Sequence, residues 1–471
     1  ADGLTRAAEP RKRAAQRRTS AAEQRMLAAQ DREAAEEDRA LGAAERRAAL
    51  VDRETLARRM AIAETESRRT PLNLDLLLSA VEAAPPTAAA DVLGVALSET
   101  LDAREVSFLI ADYSGQSLIR LSHVARGHAG GDAGRERTEA VGLIGTPHGR
   151  ALVEQEVVVV ADDGGSRVFA PVTNRGEAVG VLELALDEEP DEQTLTDVAR
   201  AAHAFAYIVI ANRRFTDLYE WGQRSVPLSL EAEIQHRLLP GSYTCEGGQF
   251  TLAGWLEPAG DVGGDTFDFS VDRDTLHLSL TDAMGHTLEA ALLATVLVGA
   301  LRNARRRAVG LAEQARLGDA ALTSYATRFA FVTGQLVRVD LTSGVARIVN
   351  AGHQPPIRIR DGRAEEIELK ADPPFGLRGN AEYHIQDLCL RPGDRVVFLT
   401  DGMLERNATA VDVFSLLIDT RHLHPREAVQ ELTRAVVHAC GGDLRDDATV
   451  LCFDWQGGPP RERDASGGAD R

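Results

Sequence analysis

A chain of 471 residues with a hydrophobic fraction of 44% has the material for two to four ordinary domains. Its formal net charge of −19 argues against nucleic acid as a partner, and no apolar run approaches the roughly 18 residues a membrane span needs. The four cysteines (Cys245, Cys389, Cys440, Cys452) show no CxxC pairing, which speaks against a thiolate zinc site and fits a reducing, cytoplasmic setting. The opening stretch "ADGLTRAAEPRKR" lacks the apolar core of a secretion signal, and since Ala1 is not an initiator methionine the native start is expected upstream.

Residues 1–70 read as a heptad-patterned helix. Arginine recurs at 18, 25, 32, 39, 46 and 53, mostly preceded by an acidic or amide residue (Gln24, Asp31, Asp38, Glu45, Asp52). A continuous helix over 10–69 would be about 90 Å long. Seven-residue register is what supercoils require, so a self-associating coiled coil and homodimer are expected. A solvated single helix held by i,i+4 charge pairs is the alternative.

Pro71 breaks that pattern, and residues 71–215 read as an α+β domain of sensory size. "VSFLIAD", "SLIRLSH", "EVVVVAD", "RVFAPVT" and "AVGVLELAL" predict strands; "LLLSAVEAA", "AADVLGVALSETL" and "TLTDVARAAHAFAYIVIANRRF" predict helices. The last helix is expected to run on through "TDLYEWGQRS" and, after Pro227, to resume as "LSLEAEIQHRLLP". Residues 216–240 thus predict a helical connector with Leu228, Leu230, Ile234, Leu238 and Leu239 near one face. Residues 241–456 carry eight strand-like runs and the helical runs "LEAALLATVLVGALRNARR" and "PREAVQELTRAVVHAC", an inventory that suits two sheets covered by helices. The tail 457–471 is rich in Gly, Pro and charge and reads as disordered.

The chemistry gathers where acidic residues border apolar strands of this last unit: Asp265 in "GGD", Asp282 in "TDAMGH", Asp401 in "LTDGMLE", and Asp446 with Asp447 in "RDDATV". One such corner is an ordinary turn. Four in one domain suggest convergence, and converging carboxylates repel one another unless a cation intervenes. Hard divalent ions prefer oxygen ligands, and a pair sharing a bridging carboxylate suits attack on phosphorus.

Residues 228–453 resemble the SpoIIE/RsbU-type branch of the PPM family of metal-dependent protein serine/threonine phosphatases. The resemblance is carried by "LSLEAEIQHRLLP", "PAGDVGGDTFDF", "TDAMGHTLEAALLATVLVGALR", "VRVDLTSGVARIVNAGHQPPIRI", "DPPFGL", "LRPGDRVVFLTDGMLERN" and "DDATVLCF". It implies a β-sandwich flanked by helices and a site for two Mn²⁺ or Mg²⁺ ions. The implied ligands are Asp265, Asp282, Asp401, Asp446 and the main-chain carbonyl of Ala283, with Asp265 and Asp282 central to catalysis. Asp447 is the other half of its acidic pair. The implied substrate is a phosphorylated anti-anti-sigma (STAS) protein. The alternative is a catalytically inactive scaffold of the same fold, which would be expected to have lost one of the four aspartates.

The family commonly has a second glycine where this chain has Thr287, which is expected to N-cap the helix that follows, with Glu289 in its first turn. His286 reads as a loop brace, with general acid as the functional alternative; His353 reads as a turn brace and Glu405 as a surface helix residue. Residues 71–215 resemble a GAF domain through "FAPVTNRGEAVGVLELALDEEPDEQTLTDVARAAHAFAYI", which implies a small-molecule ligand or a dimerisation role. No cysteine lies in that segment, which excludes a thioether-linked chromophore.

Overall fold

The structure is a computed structural model that describes residues 72–126, 139–224, 228–259, 263–285, 287–325, 330–377, 381–404, 411–441 and 444–458. The heptad segment, most of the tail, His286 and Glu405 lie outside these residues. The described residues all belong to one compact unit.

The first half of that unit is built on an antiparallel sheet. Helix α1 (Leu74–Ala83) starts at Asn73, whose side-chain oxygen accepts the backbone N–H groups of Asp75 and Leu76. Helix α2 (Ala89–Leu101) stops where Asp102 turns left-handed at φ 53°. Strands β1 (Glu105–Ala111), β2 (Ser117–Ala125), β3 (Ala140–Gly142), β4 (Val158–Asp162), β5 (Gly165–Asn174) and β6 (Glu177–Leu186) form one sheet in the order β3-β2-β1-β6-β5-β4. Helix α3 (Pro147–Glu154) lies on one face above Leu109, Leu118 and Phe169. Helix α4 (Glu192–Asn212) joins α1 and α2 on the other, over Leu93, Phe108 and Phe205. Phe108 and Leu109 face opposite ways, as the two-residue strand period requires.

The connector departs from its sequence pattern. Rather than continuing, α4 ends at Asn212, and a turn leads into the short α5 (Leu218–Gly222) and then α6 (Leu230–Leu238). Tyr219 causes the break. It is fully buried in the core shared by α2 and α4, and a straight helix would carry it away from that core. Gly222 sits so close to the sheet that a Cβ there would stand 2.6 Å from Leu121. The buried face of α6 is only partly the leucine stripe: Leu238 and the following Leu239 pack against the cores of the second half. Ala232 and Gln235 face inward, whereas Leu230 is 62% exposed.

The second half is a sandwich. Strands β7 (Thr244–Glu246), β8 (Phe250–Glu257), β9 (Asp265–Val271), β10 (Thr275–Ala283), β11 (Val332–Asp340), β12 (Ala346–Ala351), β13 (Ile357–Arg360), β14 (Arg363–Glu366), β15 (Gln386–Asp387), β16 (Asp394–Leu399) and β17 (Ala448–Trp455) divide into two sheets. Their orders are β15-β12-β11-β10-β9 and β14-β13-β16-β17-β8-β7. Phe250, Phe267, Leu278, Ile348, Phe398 and Phe453 fill the space between them. Helices α7 (Leu288–Arg306) and α8 (Leu311–Tyr325) cover the first sheet, and α9 (Val413–Asp419) and α10 (Pro425–Ala439) the second. The mixed architecture agrees with the PPM-type sandwich that the sequence implied.

The halves meet directly as well as through the connector. The buried Arg426 guanidinium on α10 donates to the carbonyls of Gly176 (2.7 Å) and Val153 (3.0 Å). Glu177 accepts the backbone N–H groups of Tyr243 and Thr244 at 3.2 and 2.8 Å. Gly176, at φ 79°, lies where a Cβ would be 2.6 Å from a Glu246 carboxylate oxygen, so the β5–β6 turn requires glycine there.

Candidate metal centre

Strand register creates the acidic corner. β9 and β10 pair so that Asp265 lies directly opposite Asp282, an arrangement that is unfavourable for like charges on adjacent strands. The preceding glycines make it possible. A Cβ on Gly264 would stand 2.8 Å from the carbonyl oxygen of Ala283 and 3.2 Å from that of Gly285. The Ala283 N–H in turn donates to the Gly264 carbonyl.

The other two corners arrive from the opposite sheet. β16 ends at Leu399, and Thr400 leads into a single 3₁₀ turn over Asp401–Met403. A Cβ on Gly402 would meet the Asp447 carbonyl oxygen at 2.2 Å and that of Asp446 at 3.1 Å, so only glycine lets these loops touch. Asp401 is exposed and Asp446 half-buried at this junction.

Hydrogen bonding separates the five aspartates into different roles. Asp265, 3% exposed, accepts the hydroxyls of Thr400 and Thr449 on Oδ2, both at 2.6 Å. Asp447 spends both oxygens on the fold. Oδ1 takes the Ala259 N–H (3.0 Å), and Oδ2 takes the Gln235 side-chain amide (2.6 Å) and the N–H groups of Gly264 (3.0 Å) and Asp265 (3.4 Å). Gln235 also donates to the Asp265 carbonyl at 2.9 Å, so α6 is anchored at the acidic corner by one buried amide.

The electrostatics have one sign. Burial raises the Asp265 carboxyl well above its usual range, and the charges of Asp282 and Asp447 raise it further against the two threonine hydroxyls. Burial, then Asp401, Asp446 and Asp447, push Asp282 up to about 7. Among the described residues no arginine or lysine contributes to that shift. Three residues along β9, Asp268 is treated differently: Arg302 grips it with two nitrogens and Arg305 with a third, all within 3.1 Å.

Among the described residues no three carboxylate, imidazole or thiol side chains close to the spacing of a single ion's ligand shell. The available donors are nonetheless all oxygens: the carboxylates of Asp265, Asp282, Asp401 and Asp446 and the Ala283 and Gly285 carbonyls that converge on Gly264. That set fits a hard divalent cation that keeps several of its waters.

His353 braces the corner from behind, as its sequence context suggested. The Thr333 hydroxyl donates to Nδ1 (2.8 Å), and Nε2 donates to the Leu399 carbonyl (2.9 Å) just ahead of Thr400 and Asp401. Burial lowers its pKa and keeps the ring neutral. Thr287 occupies the N-cap position of α7 with extended backbone, and Glu289 lies in the first turn, but the Thr287 side chain makes no capping bond.

Three functional side chains escaped sequence reasoning. Thr400 adjoins "DG" and Thr449 follows "DDA", so each was within reach of a motif. Gln235 stands in the connector, where apolar periodicity drew attention to its leucine neighbours.

Residues 272–456 match the family model for Stage II sporulation protein E (SpoIIE). Over these residues the chain is therefore similar to the SpoIIE family. The match begins past Asp265, whose place in the corner comes from strand register. Similar solved structures include the RsbU and RsbW domains of a Mycobacterium tuberculosis protein, at 24% identity and a TM-score of 0.39, covering 47% of this chain and 63% of that one. The phosphatase domain of Bacillus subtilis SpoIIE with a fragment of its regulatory domain is 16% identical at a TM-score of 0.39, covering 45% and 64%. The PP2C domain of Pseudomonas aeruginosa SiaA is 22% identical at 0.38, covering 43% and 84%. This chain thus spans slightly under two thirds of the first two.

Proposed function

We propose that the chain is a metal-dependent protein serine/threonine phosphatase whose Asp265, Asp282, Asp401 and Asp446 carboxylates and Ala283 carbonyl hold two Mn²⁺ or Mg²⁺ ions. The carrying observation is the register pairing of Asp265 with Asp282 in a corner where no arginine or lysine among the described residues compensates them. Bound ions would supply positive charge for the phosphoryl oxygens and acidify a water. The protein's own part is positional. Thr400 and Thr449 orient the Asp265 carboxyl and partly oppose the rise in its pKa, Asp447 fixes the backbone of Gly264 and Asp265, and His353 sets the strand end that delivers Asp401.

The substrate in this reading is phosphoserine or phosphothreonine on a STAS-type anti-anti-sigma protein, which the SpoIIE-type match over 272–456 supports. The N-terminal sheet serves as a GAF-like sensory domain. Its direct seat on α10 and the anchorage of α6 by Gln235 support a regulatory connection. Two chains pair through the heptad segment in a cytoplasmic homodimer. Manganese-dependent hydrolysis of an aryl phosphate, and of a phosphorylated STAS protein, by the full chain tests the reading. Failure to release phosphate from either at saturating Mn²⁺ would refute it.

A further inference from the structure

Between the two halves runs a cleft of about 1310 Å³, separate from the acidic corner. The β1–β2 turn, α3 and the end of α4 line one side, and α6, β8 and α10 the other. Its walls are rich in aromatic surface. Tyr113 stands edge-on to His236 with ring centroids 3.7 Å apart, and Trp255 stands edge-on to Tyr243 at 6.2 Å.

The polar groups lining it fall into two sets. The acidic side chains are engaged: Glu220 and Glu233 by Arg224 and Arg237, Glu177 by two backbone N–H groups, Asp112 by Ser114 and Ser117, Glu257 by the Trp255 indole. The unspent groups include Arg213, His236 and Thr433, which can all donate. Arg213 makes no ion pair among the described residues, and its Nε is buried without a partner. The His236 ring takes the Tyr243 hydroxyl on Nδ1 (2.8 Å) and leaves Nε2 buried and unpartnered. The Thr433 hydroxyl is likewise buried without a partner. Buried donors left unmet are costly, and several on residues that line one cavity mark a place for acceptors.

We propose that this cleft binds a small aromatic acid, its ring system against Tyr113 and Trp255, its acidic group on Arg213, and further acceptor atoms on His236 and Thr433. The spent carboxylates leave no seat for a cation, and the aromatic walls favour a planar body over an inorganic anion. The site is independent of the phosphatase chemistry and calls for a test that does not measure hydrolysis.

The experiment titrates the full chain with 8-anilinonaphthalene-1-sulfonate, followed by fluorescence, with 2-naphthoate as a non-fluorescent competitor. One saturable, competable site is expected. Arg213→Gln should weaken it about tenfold, as loss of a charge-assisted hydrogen bond does. Thr433→Val should weaken it about threefold, and it removes only a hydroxyl with no protein partner, so it keeps the test decisive if Arg213→Gln fails to fold. Arg421→Gln, an exposed arginine outside the cleft, should bind as the unaltered chain does. Absence of a saturable site, or binding that neither cleft variant alters, would overturn the proposal.

Discussion

Two buried acidic clusters in this molecule are handled in opposite ways. In the N-terminal sheet, Glu183 is buried on β6, yet a hydrogen bond from His148 and the guanidinium groups of Arg167 and Arg120 outweigh that burial and hold its carboxyl down at about 2. In the sandwich, Asp265 and Asp282 face each other, and among the described residues only hydroxyls and more carboxylates act on them, so both are pushed up. Nor is the sandwich short of arginine, since Arg302 and Arg305 reach Asp268 on the same strand. An acid neutralised from within the fold serves the fold. An acid left unneutralised where glycines have been spent to bring others beside it is prepared for a cation from outside.

The contrast breaks first at Asp282. Asp282→Asn should lower manganese-dependent hydrolysis by at least about 100-fold while raising the melting temperature of the metal-free chain, because it removes a charge that only a bound ion offsets. Near-normal turnover at saturating Mn²⁺ would remove Asp282 from the site. Glu183→Gln should do the reverse, leaving any hydrolysis intact but costing about 2 kcal/mol of stability in urea melts. That figure is kept low because Arg167 and Arg120 retain some solvent contact. Thr400→Val leaves Asp265 one hydroxyl instead of two, and should weaken Mn²⁺ affinity by about tenfold with little change in fold.

Acidity sharpens the comparison without any substitution. Glu183 titrates near 2 when folded, against an ordinary 4.5, so its stabilisation is complete above 4.5 and disappears as pH falls towards 2. Asp282 titrates near 7 when folded, against 3.8, so the metal-free fold binds a proton more tightly than the unfolded chain and loses stability as pH rises from about 4 through 7. Thermal melts from pH 2.5 to 8.5 should show both limbs in chelator. Mn²⁺ should flatten the upper limb and leave the acid limb in place; a Mn²⁺-insensitive upper limb would contradict the assignment. The smallest effect is expected at Thr287. Since its side chain caps nothing, Thr287→Gly should change stability by only about 0.3 kcal/mol and leave Mn²⁺ affinity unaltered.

What the sequence disclosed follows from how locally each feature is specified. Helix α7 runs over the predicted "LEAALLATVLVGALRNARR", because its pattern and flanking residues are contiguous. β10 and β17 follow the same rule. The four acidic corners were visible as strand ends carrying charge, and register then made neighbours of Asp265 and Asp282. Thr400 and Thr449 were not, because a threonine in a strand or just past its end looks the same whether or not a carboxylate lies above it. The connector misled for a different reason. Periodicity favours large apolar side chains, whereas the residues α6 buries are Ala232 and Gln235, the latter hydrogen-bonded to β9. The bend before α5 depends on Tyr219 finding a core assembled from α2 and α4, which no local window contains.

The seat made by Arg426 bears on how such proteins are recombined. A chimera that exchanges one input module for another is usually cut in the connector, on the assumption that everything upstream travels as cargo. Here the β5–β6 turn and the end of α3 present their carbonyls to one guanidinium on α10. A replacement module lacking that turn would leave the Arg426 charge buried and unmet. Transplants into this scaffold should therefore carry residues 174–177 with them, or exchange Arg426 for an apolar residue at the same time.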